Sequence, residues 1–309
     1  MSTDIIDNLY DSLGGVCRPD SEDEAHIEVH GNKVVGANLV EGLEVDVNEK
    51  SRAVEADFVL KAGTELNGPV IVCFGLLSRQ GKQKIDLDIT IEEGAAADFQ
   101  AYCTFPNATD VRHEMDARIT VGKNARYSYF ERHIHGPEGG VNVIPRADVE
   151  IKEGGRFATE FELVRGSVGR IDIDYNIKCQ ARGVFEMLAR INGRNDDEII
   201  ITEAGQLLGE EARGVLTSHI AVQDQARAVV NNELIADAPF SRGHVDCKEI
   251  VQDEAVARAV PIVEVNHPKA HVTHEAAIGS VDSKQLETLM SRGLSEEAAV
   301  DLIIEGMLS

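Results

Sequence analysis

Hydrophobic and polar residues alternate along most of the chain, from about Ala25 to about Ile278, with short turns between the alternating runs. Alternation with a period of two places one face of an extended strand in a core and the other face in water. No stretch of ten or more residues with helical periodicity interrupts this region, so a sheet built from strand–helix–strand units is not expected. The pattern therefore predicts an all-β core.

The predicted strands recur at a regular interval. Five segments open with a turn of small residues and continue as a strand, namely EEGAAADFQAY, GKNARYSYFER, EGGRFATEFEL, ARGVFEMLAR and ARGVLTSHIA. The intervals are 30, 30, 28 and 31 residues when the equivalent turn positions are taken as Ala95, Ala125, Gly155, Gly183 and Gly214. A fixed period of this size is typical of stacked repeats, because each repeat buries its apolar face against its neighbours. The spacing favours a β-solenoid over a β-sandwich with accidental spacing.

Helical periodicity is confined to the two ends of the sequence. Residues 4–13 form a short amphipathic run that ends at Gly14-Gly15, and glycine commonly terminates helices. Near the other end, Asp282 and Ser295 are suitable N-caps for two further helices. We therefore expect an N-terminal helix and linker, a β core and a C-terminal helical segment, which cover residues 1–24, 25–278 and 279–309.

The two C-terminal helices carry narrow apolar stripes. Their candidate contact residues for a partner protein are Leu286, Leu289, Met290, Leu302 and Ile303. Helices this short need a surface to pack on. The stripes either cover the open end of the solenoid or bind a partner.

The charge balance limits the possible partners. The chain has 309 residues, of which 54 are acidic and 30 basic, giving a net charge of −24. Such a surface repels phosphate backbones and anionic lipid headgroups, so neither nucleic acid nor a membrane is an expected partner. No apolar run approaches the roughly 18 residues needed to cross a bilayer, and the acidic N-terminus does not resemble a signal peptide. We expect a cytoplasmic protein.

The cysteines and nucleotide motifs carry little signal by themselves. The five cysteines are scattered and none forms a C-x-x-C pair, so no redox motif or closed zinc site is indicated. In a reducing cytosol we expect free thiols, most of them buried. No phosphate-binding loop of the G-x-x-x-x-G-K-[ST] type is present, so the chain is not expected to bind or hydrolyse nucleotide in that way.

Two groups of side chains are candidates for binding metal. In FERHIHG, Glu131, His133 and His135 fall on one side of a strand, and two imidazoles with a carboxylate suit a divalent ion. The second group brings a thiol, imidazoles and carboxylates into about thirty residues, and includes His244, Asp246, Cys247, His274 and Glu275. Thiolate is the ligand that iron–sulfur clusters prefer, with histidine or carboxylate as substitutes.

The C-terminal tail resembles a known family. The Val260-Pro261 pair, the His274-Glu275 pair followed by two alanines, and the run SKQLETLMSRGLSEEAA are similar to the C-terminal region of SufB and SufD, the scaffold subunits of the SUF iron–sulfur assembly system. The likeness extends more loosely over roughly residues 60–309. Because the sequence lacks a long N-terminal helical region, it resembles the short archaeal type.

The resemblance implies a fold, partners and a role. It implies a right-handed parallel β-helix, two C-terminal helices that bind a SufC-type ABC ATPase, and core domains that pair as a homodimer or as a SufB/SufD-like heterodimer. A transient iron–sulfur cluster would be built on the scaffold and passed to apo iron–sulfur proteins. ATP would be hydrolysed by the partner, so this chain is not expected to be an enzyme itself.

One position departs from the family pattern. SufB proteins carry an assembly cysteine a few residues before the Val-Pro pair, SufD proteins have histidine there, and this sequence has Ala255. Cys247 is the nearest thiol, and Glu275 matches the glutamate of the family. The expected cluster-binding residues are therefore Cys247, Glu275, His274, His244 and Asp246.

Two alternative functions remain open. One is a cupin-like metal-dependent enzyme that uses His133, His135 and a carboxylate from Glu131 or Glu138. The other is a SufD-like structural partner without its own cluster.

Overall fold

The structure, a computed structural model, describes residues 2–19, 24–136 and 138–309. Within these ranges most of the chain forms two sheets, which lie face to face and enclose the core. The first sheet contains, in spatial order, β19 (His271–Gly279), β17 (Arg242–Val251), β15 (Arg213–Val222), β13 (Val184–Gly193), β11 (Arg156–Leu163), β9 (Arg126–His135), β7 (Ala96–Phe105), β5 (Val70–Gly75), β1 (His26–His30) and β2 (Lys33–Asn38). The second contains β18 (Val256–Val265), β16 (Arg227–Ala236), β14 (Glu198–Leu207), β12 (Gly169–Cys179), β10 (Val141–Ile151), β8 (Asp110–Val121), β6 (Gln80–Ile91), β4 (Val54–Leu60) and β3 (Leu43–Glu49).

From β4 onwards, successive strands alternate between the sheets, and each pairs in parallel with the strand two later in the chain. Antiparallel pairing occurs for β1 with β2 and for β3 with β4. One strand from each sheet, with the two turns that join them, makes one coil of a parallel solenoid. The predicted β-solenoid is confirmed, and the sandwich alternative is wrong.

The strand register corrects one turn position. Pairing of β13 with β15 makes Ala212 the equivalent of Gly183, an interval of 29 residues (183 to 212). The expected equivalent, Gly214, lies inside β15 instead. A Cβ atom there would overlap the ring of Phe185, so this glycine makes room for a core side chain and does not form the turn.

Side chains that point between the sheets form one continuous core. The large apolar members stack from coil to coil, as in the edge-to-face contact of Phe99 with Tyr127, whose ring centroids are 5.3 Å apart. Most strands of the central coils bury alternate residues, and β11 shows this pattern over its full length. The alternation seen in the sequence is thus the inside–outside pattern of the solenoid wall.

The N-terminal helix α1 (Ser2–Ser12) lies against the outer face of the first sheet. The Tyr10 hydroxyl donates a hydrogen bond of 2.7 Å to Glu28. The turn after α1 brings Cys17 onto β5, where it is joined to Cys73 as a disulfide with Cα atoms 6.3 Å apart. The expectation of free thiols is therefore wrong for this pair, because the packing of α1 brings together two cysteines that are 56 residues apart in sequence.

Helices α2 (Ser283–Ser291) and α3 (Glu296–Leu308) begin at the predicted caps. The side chains of Asp282 and Ser295 accept hydrogen bonds from backbone amides three residues later. Helix α3 buries Ile304 and Leu308 against the side of the solenoid, where Arg194 also forms a 2.8 Å ion pair with Asp301. The helices therefore pack beside the coils. Among the strands that the structure describes, none pairs with the outer edge of β18 or of β19.

Of the helices formed by the described residues, none is long and apolar enough to cross a bilayer.

Candidate metal and cluster sites

Four metal-ligating side chains meet inside the solenoid. We call Cys103, His113, Glu131 and His133 the inner quartet; one ligand atom from each lies within 4.8 Å of the others, and all four residues are buried. The strand pairing places Cys103 on β7 beside His133 on β9. His113 comes from β8 in the opposite sheet. The group therefore spans the core from one sheet to the other.

Short contacts connect the members of the inner quartet. The His133 Nε2 atom lies 2.6 Å from Glu131 Oε1. The Cys103 sulfur lies 3.8 Å from the same oxygen and 3.9 Å from His113 Nε2. Outside the quartet, His135 Nε2 lies 3.1 Å from His133 Nδ1. One further histidine therefore orients the imidazole of His133.

The surroundings of the inner quartet are apolar and aromatic. Phe105 packs against His113 with ring centroids 5.1 Å apart, and Phe161 packs against His133 at 4.8 Å. Two polar atoms of the quartet, Glu131 Oε2 and His113 Nδ1, have no hydrogen-bond partner among the described residues. An unpartnered buried polar atom lowers stability by about 1–3 kcal/mol, so these atoms call for a functional explanation.

Burial sets the charge states of the inner quartet. Burial, followed by the nearby Glu131, raises the pKa of Cys103 well above its usual range. Burial also lowers the pKa of His113 to about 3, helped by His133. For Glu131, burial acts to raise the pKa, but the hydrogen bond and charge of His133 outweigh it and the pKa is lowered. At neutral pH the quartet therefore holds a protonated thiol, a neutral His113 and a carboxylate.

Part of the inner quartet is predictable from the sequence. Glu131, His133 and His135 do lie on one face of β9, as alternation predicted. Cys103 was missed, although it lies one 30-residue coil before His133 and therefore on the same face. His113 carries no such signal, because the period does not say which residues of the two sheets face each other.

The cupin-like alternative is contradicted by the fold, since the chain forms a solenoid and not a cupin barrel. Its second candidate carboxylate also lies elsewhere. Glu138 is exposed and forms a 3.9 Å ion pair with Arg79.

A second polar group lies in the core near the other end of the solenoid. We call it the Cys247 cluster; its members are Glu203, Ser218, Asn232, Cys247 and Glu249, all buried. The Asn232 amide nitrogen lies 3.0 Å from the Ser218 hydroxyl and 3.5 Å from the Cys247 sulfur. When the amide is turned over, its nitrogen donates to Glu203 at 3.2 Å.

Burial raises the pKa values of the three acidic groups of the Cys247 cluster. Burial raises the pKa of Cys247 to about 11 and, assisted by Asp246, that of Glu249 to about 7. Burial alone raises the pKa of Glu203 to about 8. Within the part of the chain that the structure describes, both oxygens of Glu249 lack a hydrogen-bond partner. Strongly shifted carboxyls beside a thiol are typical of functional sites.

The five predicted cluster-binding residues lie on two faces of the last coils. The pairing of β17 with β19 sets His244, Asp246 and Glu275 on the outer face, where Asp246 forms a 2.8 Å ion pair with Lys248. Cys247 and His274 point to the inner side. Cys247 is fully buried, whereas His274 lies on the exposed last strand. Within one chain, Cys247 therefore does not share a site with the three outer residues.

The fold and its buried thiol groups define a class: a parallel β-solenoid whose core holds metal-ligating side chains at two levels. Residues 78–307 match the family model described as SUF system FeS cluster assembly, SufBD core domain. The chain therefore belongs to the SufBD family of iron–sulfur cluster assembly proteins.

Two archaeal relatives are similar over most of their length. An iron–sulfur cluster assembly SufBD family protein of Methanocaldococcus jannaschii is 36% identical over 282 residues, which are 91% of this chain and 89% of the relative. A protein of the same description from Pyrococcus horikoshii is 34% identical over 284 residues, covering 92% and 86% of the two chains. The resemblance noted in the sequence is thus confirmed.

Proposed function

We propose that this chain is a cytoplasmic scaffold on which an iron–sulfur cluster is built or held before transfer to apo iron–sulfur proteins. The observation that carries the proposal is the position of Cys247, a buried thiol one coil from the open end, in a chain of the SufBD family. His274 on the last strand shares its inner side, while Glu275, Asp246 and His244 lie on the outer side of the same coils. The cluster is cargo, and thiolate is its preferred ligand.

Access to Cys247 requires movement of the last coil. The side chain is fully buried, and its pKa of about 11 keeps the thiol protonated at neutral pH. Separation of β19 from β17 would expose the sulfur and lower its pKa, because burial is the main cause of the shift. An ATP-driven partner of the SufC kind would supply this movement, and this chain would not itself be an enzyme.

The cluster proposal is tested by anaerobic reconstitution with iron and sulfide. We expect broad visible absorption in the wild type, its loss in Cys247→Ser and its retention in the control Cys179→Ser, which removes another buried thiol. Equal absorption in both variants would remove the role of Cys247. No absorption in the wild type would favour a SufD-like partner without a cluster.

The surface proposed for the ATPase is the outer side of α2 and α3. Leu302 and Met290 are 47% and 42% exposed, whereas Leu286, Leu289 and Ile303 are half-buried. Because Ile304 and Leu308 already attach α3 to the solenoid, the exposed residues are free to contact a second protein.

The ATPase surface is tested with a charge at its centre. Leu302→Asp should abolish co-purification with a SufC-type ATPase, whereas Leu208→Asp, at an exposed leucine on the solenoid, should not. Binding that survives Leu302→Asp would place the partner elsewhere.

The open end of the solenoid is the proposed surface for a second copy of this chain. The last two strands, β18 and β19, expose apolar side chains beside the outer edges of the two sheets. These side chains are Val256, Ile262, Val263, Val265 and Ile278. Exposed apolar edges of this kind pair with other chains unless they are blocked. Sedimentation should give a dimer for the wild type and a monomer for Ile262→Arg. A monomeric wild type would contradict the homodimer and would favour a SufB/SufD-like heterodimer.

A further inference from the structure

We propose that the inner quartet is a binding site for one divalent first-row transition metal ion, of the class that includes Fe²⁺, Zn²⁺ and Co²⁺. Its ligands are Cys103, His113, Glu131 and His133. The site goes beyond the scaffold proposal and does not depend on it. β7 and β17 are five strand spacings apart in the first sheet, so Cys103 lies roughly 24 Å along the solenoid from Cys247.

The donor set selects the class of metal. One thiol, two imidazoles and one carboxylate suit a borderline ion that accepts sulfur and nitrogen ligands. Mg²⁺ and Ca²⁺ prefer oxygen alone and would not be bound well here. Four protein ligands and a closed apolar shell match a structural or storage site more than a catalytic one, which keeps a position open for water.

The geometry needs only small adjustments. Ligand atoms in a tetrahedral site are about 3.3–3.8 Å apart when each lies about 2.0–2.3 Å from the ion. In the inner quartet the Cys103 sulfur is already 3.8 Å from Glu131 Oε1 and 3.9 Å from His113 Nε2. The contact of His133 with Glu131, at 2.6 Å, would lengthen when the ion replaces the proton between them. Small rotations of the side chains are therefore sufficient.

Two polar atoms of the site are left over after its internal hydrogen bonds are counted. Glu131 Oε2 and His113 Nδ1 have no hydrogen-bond partner in the described ranges, and a bound ion would give these two side chains a partner. When the ion binds, the Cys103 thiol releases its proton to solvent and each histidine ligates as a neutral imidazole through an unprotonated ring nitrogen. The thiolate and the Glu131 carboxylate then carry two negative charges, which the divalent ion neutralises inside a dry core. Pairing of this kind is what makes buried charge tolerable.

The neighbours of the quartet form the support expected around a metal. His135 lies 3.1 Å from the second ring nitrogen of His133, and such contacts fix the orientation of ligating histidines. The rings of Phe105 and Phe161 contact the histidines of the quartet and exclude water. The alternative is that the four side chains only form hydrogen bonds with one another and never bind a metal ion.

The test loads the site during synthesis, because the folded quartet is fully buried. The protein is purified anaerobically from cells grown with added Co²⁺, and the metal content is measured together with the near-ultraviolet thiolate-to-cobalt absorption. We expect about one ion per chain and a thiolate band. Cys103→Ser should abolish the band, and His113→Gln should lower metal content at least about tenfold.

The controls separate this site from the scaffold proposal. Cys179→Ser should keep both metal and band, and so should Cys247→Ser, although the latter is expected to lose reconstituted cluster. Far-ultraviolet circular dichroism checks that each variant is folded. Wild-type protein without metal, or a band that survives Cys103→Ser and disappears in Cys247→Ser, would overturn the assignment.

Discussion

Glu203 offers a quantitative test of how a buried carboxyl with a raised pKa affects the stability of the protein. The side chain points into the core from β14 and is only 3% exposed. Burial raises its pKa from 4.5 to about 8. Replacement by glutamine keeps the shape and the ability to accept a hydrogen bond from Asn232, and removes the ionisation.

The magnitude follows from linkage between protonation and folding. Below pH 4.5 the Glu203 carboxyl is protonated in both the folded and the unfolded protein, so its ionisation does not change the free energy of unfolding. Between pH 4.5 and about 8 only the unfolded chain releases the proton, so stability falls by about 1.4 kcal/mol for each pH unit. The destabilisation reaches about 3 kcal/mol near pH 7 and levels off at about 5 kcal/mol above pH 8. Glu203→Gln should therefore stabilise the protein by these amounts.

Thermal unfolding at about pH 4 and about pH 8 measures this effect. We expect equal midpoints at the lower pH and a midpoint at least about 5 °C higher for Glu203→Gln at the higher pH. The control Glu186→Gln, at an exposed position on the neighbouring sheet, should change the midpoint little at either pH. A difference that does not vary with pH, or a less stable variant at high pH, would refute a raised pKa at Glu203.

Three further predictions concern packing and function. Gly209→Ala should lower stability by about 2 kcal/mol or more, measured by thermal unfolding, because its Cβ atom would overlap the backbone nitrogen of Ala181. Glu275→Ala should reduce the iron retained after reconstitution, whereas Glu264→Ala, an exposed carboxylate on the other terminal strand, should not. Ile304→Ala should weaken the attachment of α3, seen as faster hydrogen exchange in that helix with unchanged exchange in the coils.

The architecture was predictable from the sequence because every coil of a solenoid repeats the same local pattern of alternating residues and turns. Alternation assigned inside and outside, and the intervals between turns such as Ala95 and Ala125 gave the length of one coil. The caps at Asp282 and Ser295 were read from a few adjacent residues. Gly214 was assigned wrongly to a turn, because a small residue was taken as a turn signal although it makes space for Phe185.

The contents of the core were harder to predict. The proximity of His113 to Cys103 depends on how two sheets face each other, and no periodicity in the sequence specifies this. The disulfide of Cys17 depends on where α1 packs. Grouping Cys247 with Asp246 used closeness in sequence, although alternation already puts adjacent strand residues on opposite faces.

The most direct test of the scaffold proposal is the content of iron and acid-labile sulfide in protein reconstituted anaerobically. The wild type should contain sulfide together with iron, and Cys247→Ser should lose the sulfide and the iron that accompanies it. The inner quartet can contribute iron without sulfide, so sulfide identifies the cluster. Iron without sulfide in the wild type, or equal sulfide in Cys247→Ser, would contradict cluster assembly at this end of the solenoid.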